Sequence, residues 1–564
     1  MFAEVILHRR VPSRFESFTY KIPDGMNLKK GQIVRVPFRN QTLSAIVKNI
    51  HNTTPKYPTK DIAEAMPDGL TENQSALADW MSEFYKCPYS KVIDFFIPEK
   101  IWQPSKRNIF IARRTPEQTL QSAPKQSSLL DCFAPEVARN DISALTKQII
   151  SSTSPCLIFE KTPLPRKELF QQLSNELPKD SQALFLFPDL FTLNTFAKDI
   201  PVYHSELKES EKAQIWTEVK SGKIKTIAGT RGALFLPFKN LTLITVDSEH
   251  SESYSEIRQP NYDALKVAEK MASLKKIPLV AISQSPRVET WYKAKIAKYL
   301  KIDWTQDANN TSIGIIDMAN ERRKGIFGHL AQATTEKMAS LLVQNKQILL
   351  FINRKGESSA LLCQDCNSVA RCETCNSPLS IHKENDLRCH KCNKKTNMIV
   401  TCKGCGGSRL KAIGTGTEKL EKEINKIFSK ANILRLDKDK KSASFVFDEL
   451  GLKTLSGADI IIATQIIDKP LELRRLALTV VVQMDSMLHF PTFRANERVF
   501  QLLTRLRTLT HGELLIQTFL PDQNIFQTFS RNLAESFYEE ELETRKSLQL
   551  PPFSISTEAE EIAG

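Results

Sequence analysis

Eight of the eleven cysteines fall between Cys363 and Cys405. They form four Cys-x-x-Cys pairs: Cys363/Cys366, Cys372/Cys375, Cys389/Cys392 and Cys402/Cys405. Each pair offers two thiolates from one tight turn, enough for two corners of a tetrahedron, so the eight suit two Zn(Cys)4 sites. Disulfides are the first alternative, disfavoured in a cytosolic chain of this size, and iron–sulfur ligation is the second. The inner pairs enclose the hairpin-like NSPLSIHKENDLR and are expected to share one zinc. The outer pairs then share the other, in a nested arrangement. Arg371, Arg388, Lys391, Lys394, Lys395 and Lys403 flank the ligands. Because each Zn(Cys)4 carries a charge of about −2, these cations have a local electrostatic role without touching a partner. His382 and His390 could also ligate zinc, but eight cysteines already suffice. Such closed sites hold structure and leave no position for a catalytic water. Cys87, Cys132 and Cys156 are scattered and expected to be inert.

The elements around this block follow from the rest of the chain. Its 564 residues imply three to five domains. With 41% hydrophobic and 25% charged residues it reads as globular. No apolar run is long enough to span a membrane, and the start lacks a secretory h-region, so a cytoplasmic protein is expected. The formal charge of +14 favours a polyanionic partner, usually nucleic acid, over a merely solvated surface. Glycine is scarce, at 19 residues, about half the usual ~7%. Loops that cradle phosphate need glycine, so nucleotide binding is disfavoured from the outset.

Residues 1–55 read as short strands, FAEVIL, FTYKIP, GQIVRVPF and TLSAIVKNI, which suggests a small β-barrel. Residues 72–98 have helical period, with Leu77, Trp80, Met81 and Phe84 on one face. Order is lost from about 104 to 150, where QTLQSAPKQSS is linker-like. Strand-like runs then alternate with helical segments: CLIF, ALFLF, IKTIAG, LTLITVD and PLVAIS, and later QILLFI, ANILRL, DIIIA and LALTVVV. That alternation predicts two parallel α/β lobes with the cysteine block inserted in the second.

At this point the chain resembles the primosomal replication-restart helicase family, PriA, over nearly its whole length. The resemblance is carried by the cysteine block followed by Gly414-Thr415-Gly416-Thr417-Glu418, and by GTRGALFLPF, NRKG, LHFPTFRANERVFQLLT and the late LPPF. VPF and LADWMSEFYKCPYSKVIDFFIP are similar to the family's 3′-end DNA-binding domain. The implied fold is multidomain α/β: a small N-terminal β-barrel domain plus two RecA-like parallel-sheet lobes of superfamily 2 helicase type, with an inserted two-zinc region. The expected domains are 1–104 for 3′-end binding, a linker at 105–150 as a reduced winged-helix region, and lobe 1 at 151–305. Lobe 2 takes 306–360 and 413–535, the zinc insertion 361–412, and a C-terminal remnant 536–564, with the family's C-terminal domain expected to be missing.

The departures from the family concern ATP. Where a Walker A loop needs glycines, a Lys and a Ser/Thr, the chain reads Phe159-Glu160-Lys161-Thr162-Pro163-Leu164-Pro165-Arg166-Lys167-Glu168. Pro163 and Pro165 lack N–H donors. Glu160 adds a negative charge, while Arg166 and Lys167 retain cations. The acidic motif reads Asp247-Ser248-Glu249-His250, with a serine in place of the residue that the resemblance makes the base. The coupling motif reads Ile282-Ser283-Gln284-Ser285-Pro286, and the late one Ala463-Thr464-Gln465 with Pro470 where a glycine stands. The arginine-finger segment has collapsed to Arg505-Leu506-Arg507-Thr508-Leu509-Thr510-His511-Gly512.

The reading is therefore a replication restart protein that binds stalled forks and other branched DNA and supports primosome assembly without a working motor. No catalytic or ATP-binding residue is assigned. The alternatives are a weakly active ATP-dependent 3′–5′ helicase and a general zinc-containing DNA-binding protein. The resemblance makes Phe18, Phe38 and Arg39 candidates for holding a 3′-terminal nucleotide, with Lys60 a looser one. Without it, each aromatic reads as core. Expected partners are forked and single-stranded DNA, primosome proteins, the single-stranded DNA-binding protein and the replicative helicase, in a nucleoid-associated setting.

Overall fold

The computed structural model describes residues 1–8, 16–103, 136–305, 311–353, 359–363, 365–366, 370–373, 379–381, 386–388, 394–413, 417–436, 455, 457–464, 473, 476–488 and 492–554. The N-terminal strands are β1 (Phe2–Leu7), β2 (Phe18–Lys21), β3 (Gln32–Phe38), β4 (Gln41–His51) and β5 (Glu64–Gly69), in the order β2-β1-β4-β3-β5. The sheet pairs are antiparallel. Residues 60–62 hydrogen-bond β2, with Lys21 N to Lys60 O at 2.9 Å and Ile62 N to Lys21 O at 3.0 Å. The next residues pair with β3. One segment thus touches both margins and closes the sheet into a barrel around Val5, Val34, Val36, Ala45 and Val47. β3 turns into β4 through only Arg39 and Asn40, between paired Phe38 and Gln41. Arg39 takes φ 54°, the left-handed backbone of a tight hairpin turn.

The helix expected over 72–98 is shorter. Helix α1 (Glu72–Phe84) starts at Thr71 in a capping box with Gln74 and ends near Lys86, at φ 46°, and Pro88. A second short helix covers Tyr89–Ile93. Leu77 and Met81 are buried, whereas Phe84 is 38% exposed. The linker also differs from expectation. Residues 136–151 form a helix, and Ile142, Leu145 and Ile149 bury one face of it against Leu169, Phe170 and Leu173. Its 3-and-4 spacing of apolar residues was masked by the surrounding Ser, Thr and Asn.

Two parallel sheets follow. The first contains β6 (Cys156–Glu160), β7 (Gln182–Leu186), β8 (Val202–Tyr203), β9 (Thr226–Gly229), β10 (Leu241–Asp247), β11 (Leu279–Ser283) and β12 (Leu300–Trp304). Their order is β12-β6-β11-β10-β7-β9-β8. The second begins with β13 (Ser312–Asp317) and β14 (Gln347–Ile352). An antiparallel sheet then intervenes: β15 (Ser359–Cys363), β16 (Ser380–Ile381), β17 (Leu387–Arg388), β18 (Lys395–Thr396) and β19 (Leu410–Ile413). The second sheet resumes with β20 (Ile433–Leu436), β21 (Ile460–Ala463), β22 (Leu476–Gln483) and β23 (Glu513–Thr518), in the order β13-β23-β22-β14-β21-β20. These are the two RecA-like lobes, and every apolar run named above is a strand within them. The unforeseen strands β8, β12, β13 and β23 lie toward the sheet margins, and β12 and β13 are too exposed to read as buried apolar runs. No described helix is long and apolar enough to cross a membrane.

Candidate functional site

In open α/β sheets, ligands bind beyond the carboxyl ends of the strands. In lobe 1 those ends carry Glu160 on β6, Asp247 on β10 and Ser283 on β11. Helix α2 (Arg166–Glu176) begins beside them, after Pro165, which makes no side-chain cap bond. Its first residue turns back into the crevice. Arg166 Nη1 and Nη2 lie 2.8 and 2.9 Å from Glu160 Oε1 and Oε2, and Nε lies 2.6 Å from Asp247 Oδ1. Leu164 N also donates to Glu160 Oε1, at 2.8 Å. Ser248 Oγ donates to the other Asp247 oxygen at 3.1 Å. The Glu160 and Asp247 side chains are 0% and 1% exposed. Burial alone would lower the Arg166 guanidinium, but Asp247 and Glu160 outweigh it and hold the cation firmly charged. Burial pushes Asp247 up, against the pull of Arg166. The cation and both carboxylates therefore satisfy one another. Lys167, the second candidate cation, is exposed.

The coupling motif is also engaged. His250 Nδ1 and Ser283 Oγ are 2.6 Å apart, and burial followed by Arg287 and Arg166 pushes the imidazole down to about 3. Gln284 accepts from Thr508 Oγ1 at 3.1 Å, and Ser285 O accepts from Gln501 at 3.4 Å, so both bonds cross between lobes. Arg507, expected in the finger segment, contacts Asn532, and its guanidinium lies 5.4 Å from the Phe529 ring centre. Thr464 is buried, while Gln465 and Pro470 lie outside the described residues.

A charge cluster that sequence reasoning did not find joins three helices: α3 (Val288–Lys295) of lobe 1 and, beyond α4 (Thr417–Ile427) along the chain, α5 (Ala495–Leu509) of lobe 2 and α6 (Ala534–Ser547). Arg545, with a 0% exposed side chain, bonds Glu289 at 3.0 Å, Glu497 at 2.9 Å and Glu541 at 2.9 Å. Arg494 Nη1 bonds the same Glu289 and Glu497 at 3.0 Å each. Glu497 also accepts from Val288 N at 2.8 Å. Burial would raise Glu497, but Arg494 and Arg545 hold it down at about 2. Trp291 stacks on Tyr538 at 4.3 Å and Phe500 on Phe537 at 4.0 Å beside these ions. The only signal in the sequence is that Arg494 and Glu497 sit inside LHFPTFRANERVFQLLT and Arg545 just before LPPF. Glu289, which both guanidiniums share, lies more than 200 residues away along the chain.

In the insertion, Cys363, Cys366, Cys402 and Cys405 bring their sulfurs within 4.8 Å of one another. The Cys363–Cys405 and Cys366–Cys402 pairs are 3.6 Å apart. Four sulfurs held about 2.3 Å from one zinc would stand ~3.8 Å apart, so the donor set fits a tetrahedral zinc. β15 delivers Cys363 and pairs it with Leu410 on β19, which fixes the two knuckles against each other. Gly404 N donates to Cys402 Sγ at 3.3 Å, the kind of bond that steadies a ligating thiolate. Zinc here would supply folding energy. Of the inner set, Cys372 is buried, whereas Cys375, Cys389 and Cys392 lie outside the described residues, as do His382 and His390.

On the barrel, Phe18 and Phe38 meet edge to face at 5.2 Å, and the Arg39 guanidinium lies 5.7 Å from the Phe38 ring centre. Both rings are half-buried on the barrel core. Lys60 lies at the far end of β2, through its carbonyl bond to Lys21. The structure thus groups three of the four candidates.

Residues 4–98 match the family described as the 3′DNA-binding domain (3′BD). The chain is 31% identical over 412 residues to the replication restart protein PriA of Thermotoga maritima, covering 70% of this chain and 55% of that protein. It is 30% identical to that of Bacillus subtilis, covering 68% and 50%, so the match spans about half the length of both relatives. To the Rickettsia conorii protein it is 29% identical over 557 residues, covering 95% and 83%. Among solved structures, it is similar to RecG bound to a three-way DNA junction, at 13% identity and TM-score 0.41, covering 84% of this chain and 53% of that one.

Proposed function

This chain belongs to the replication restart protein PriA family, and on that premise we propose that it binds forked and branched DNA as a static frame rather than as an ATP-driven motor. The observation that carries the reading is the ion triad of Arg166, Glu160 and Asp247. A nucleotide would need the crevice that the guanidinium fills, and magnesium would need the carboxylate it binds. Catalysis would also need donors aimed at the developing charge, and prolines at 163 and 165 provide none. The Arg545 cluster supports the same reading, because its ion pairs tie both lobes directly to α6.

DNA binding would begin at the barrel, where Phe18 and Phe38 offer ring faces to a 3′-terminal base and Arg39 a charge to its phosphate. Zinc would close the outer cysteine knuckles and a second zinc the inner ones. Primosome proteins, the single-stranded DNA-binding protein and the replicative helicase are the proposed partners at the fork. The test is fork affinity and ATP turnover on the zinc-loaded protein. A fork with a free 3′-hydroxyl should bind more tightly than plain duplex, with no DNA-stimulated hydrolysis. Turnover that disappears in Asp247→Asn would restore the helicase alternative. Equal affinity for fork and duplex would leave a general DNA-binding protein.

A further inference from the structure

Helix α4 (Thr417–Ile427) packs on lobe 2 through buried Leu420 and Ile424. At 3.6 residues per turn, Lys419, Lys422 and Lys426 fall within about 60° of one another, on the side turned roughly 150° from that buried face. All three are exposed, as is Lys430 just beyond the helix. Among the described residues, no carboxylate pairs with any of the four. Two acids of the helix are engaged elsewhere: Glu421 bonds Arg435 at 2.6 Å, and Glu423 takes His329. Glu418 stands at the N-terminal margin of that face, one turn before Lys422, so the first observation is a row of three lysines with one acid at its edge.

The second is an aromatic beside it. Glu423 Oε1 accepts from His329 N at 2.8 Å, which seats the loop Ile326–His329 along the flank of α4. Gly328 permits this approach, since a Cβ there would lie 2.5 Å from Glu423 Oε1. On that loop the Phe327 ring is 75% exposed, with the Arg322 guanidinium 5.7 Å from its centre. Arg322 also donates to Ile326 O at 3.2 Å, so the loop is fastened at both ends. An apolar ring held in water beside a row of cations has the composition of a stacking platform for an unpaired base. Cations track the phosphates and the ring takes a base face, which duplex DNA keeps hidden.

We propose that the lysine face of α4 and Phe327 form a binding surface for single-stranded DNA on lobe 2. The row from Lys419 to Lys426 runs about 10 Å, room for two or three phosphates. The inference rests on the reading that the chain binds DNA, but it uses residues remote in sequence from the barrel.

The test is fluorescence anisotropy of a labelled oligothymidylate against salt, for the wild type, for Lys419→Gln, Lys422→Gln and Lys426→Gln together, and for Phe327→Ala. Fork binding is measured in parallel on the same samples. The lysine variant should lose about 2 from the slope of log K against log salt, at ~0.7 per phosphate released. Phe327→Ala should weaken binding roughly 5- to 100-fold and leave the slope alone. Both should keep the wild-type melting temperature. Unchanged affinity and slope in both variants overturns the inference while fork binding stands. Loss of slope on duplex and single strand alike, with no effect of Phe327→Ala, also overturns it, in favour of a duplex backbone site. Wild type that binds the oligothymidylate through these residues yet ignores forks supports the inference and removes the fork reading.

Discussion

The crevice of lobe 1 and the cysteine cluster are both dense in ionisable groups, and they differ in the signs they bring together. Glu160 and Asp247 meet Arg166, so the chain itself supplies a counter-charge to both carboxylates. Cys363, Cys366, Cys402 and Cys405 bring four like donors together, so four thiolates would repel until a cation arrives. A cluster of like donors stays poised for a ligand, whereas a cluster of opposite charges has supplied its own. The same arithmetic makes the Arg545 cluster structural, with two guanidiniums sharing three carboxylates.

The largest effect should come from removing zinc. A strong chelator should unfold the insertion, since structural zinc supplies roughly 10 kcal/mol in small domains. Protease cleavage confined to 361–412, reversed by added zinc, is the expected readout, and an insertion that resists protease without metal would break the contrast.

Next come the internal cations. Arg545→Met takes the guanidinium from buried Glu541 and leaves Glu289 and Glu497 to Arg494 alone, and Arg166→Met strands Glu160 and Asp247. Each should cost about 3–5 kcal/mol in urea unfolding. Arg166→Met combined with Glu160→Gln should recover part of that loss, because fewer buried charges are left unpaired. If the single and double variants are equally stable, the triad is not a coupled unit.

The smallest effect depends on pH. His250 is neutral in the folded chain with its pKa depressed to about 3, while the unfolded imidazole titrates near ~6.5. Its contribution is therefore fully present above pH ~6.5 and is lost as pH falls toward 3. Glu249 is shifted up to about 7 by burial and works in the opposite sense, so the wild-type profile alone would mix the two. The stability gap between the wild type and His250→Gln isolates the histidine, and it should narrow as pH drops from 7 to 5. A constant gap would place a charged His250 beside Ser283.

The legible parts of the molecule are those whose partners are close along the chain. The four Cys-x-x-Cys pairs announce thiolate knuckles because each knuckle is a local turn, and the apolar runs of β7 and β11 announce buried strands. The loss of glycine between Glu160 and Arg166 was equally local, and it pointed to the crevice before Asp247 was placed there. What escaped is set by distant packing. Glu289 and Arg545 meet across 256 residues, and neither is unusual within its own helix. The helix at 136–151 was hidden because polar residues outnumber its few buried ones. The margin strand β12, mostly exposed, gave no buried-strand pattern. Lys60 joined the candidates by resemblance alone, and the barrel separates it from Phe38 by the length of β2.

The most direct test is isothermal titration of magnesium and ATP into the zinc-loaded protein, beside Arg166→Gly. The account predicts no heat of binding in the wild type, because the guanidinium occupies the crevice, and a detectable signal only where the arginine is removed. Saturable binding to the wild type that disappears in Asp247→Asn would contradict it, and would mean that the triad opens for nucleotide.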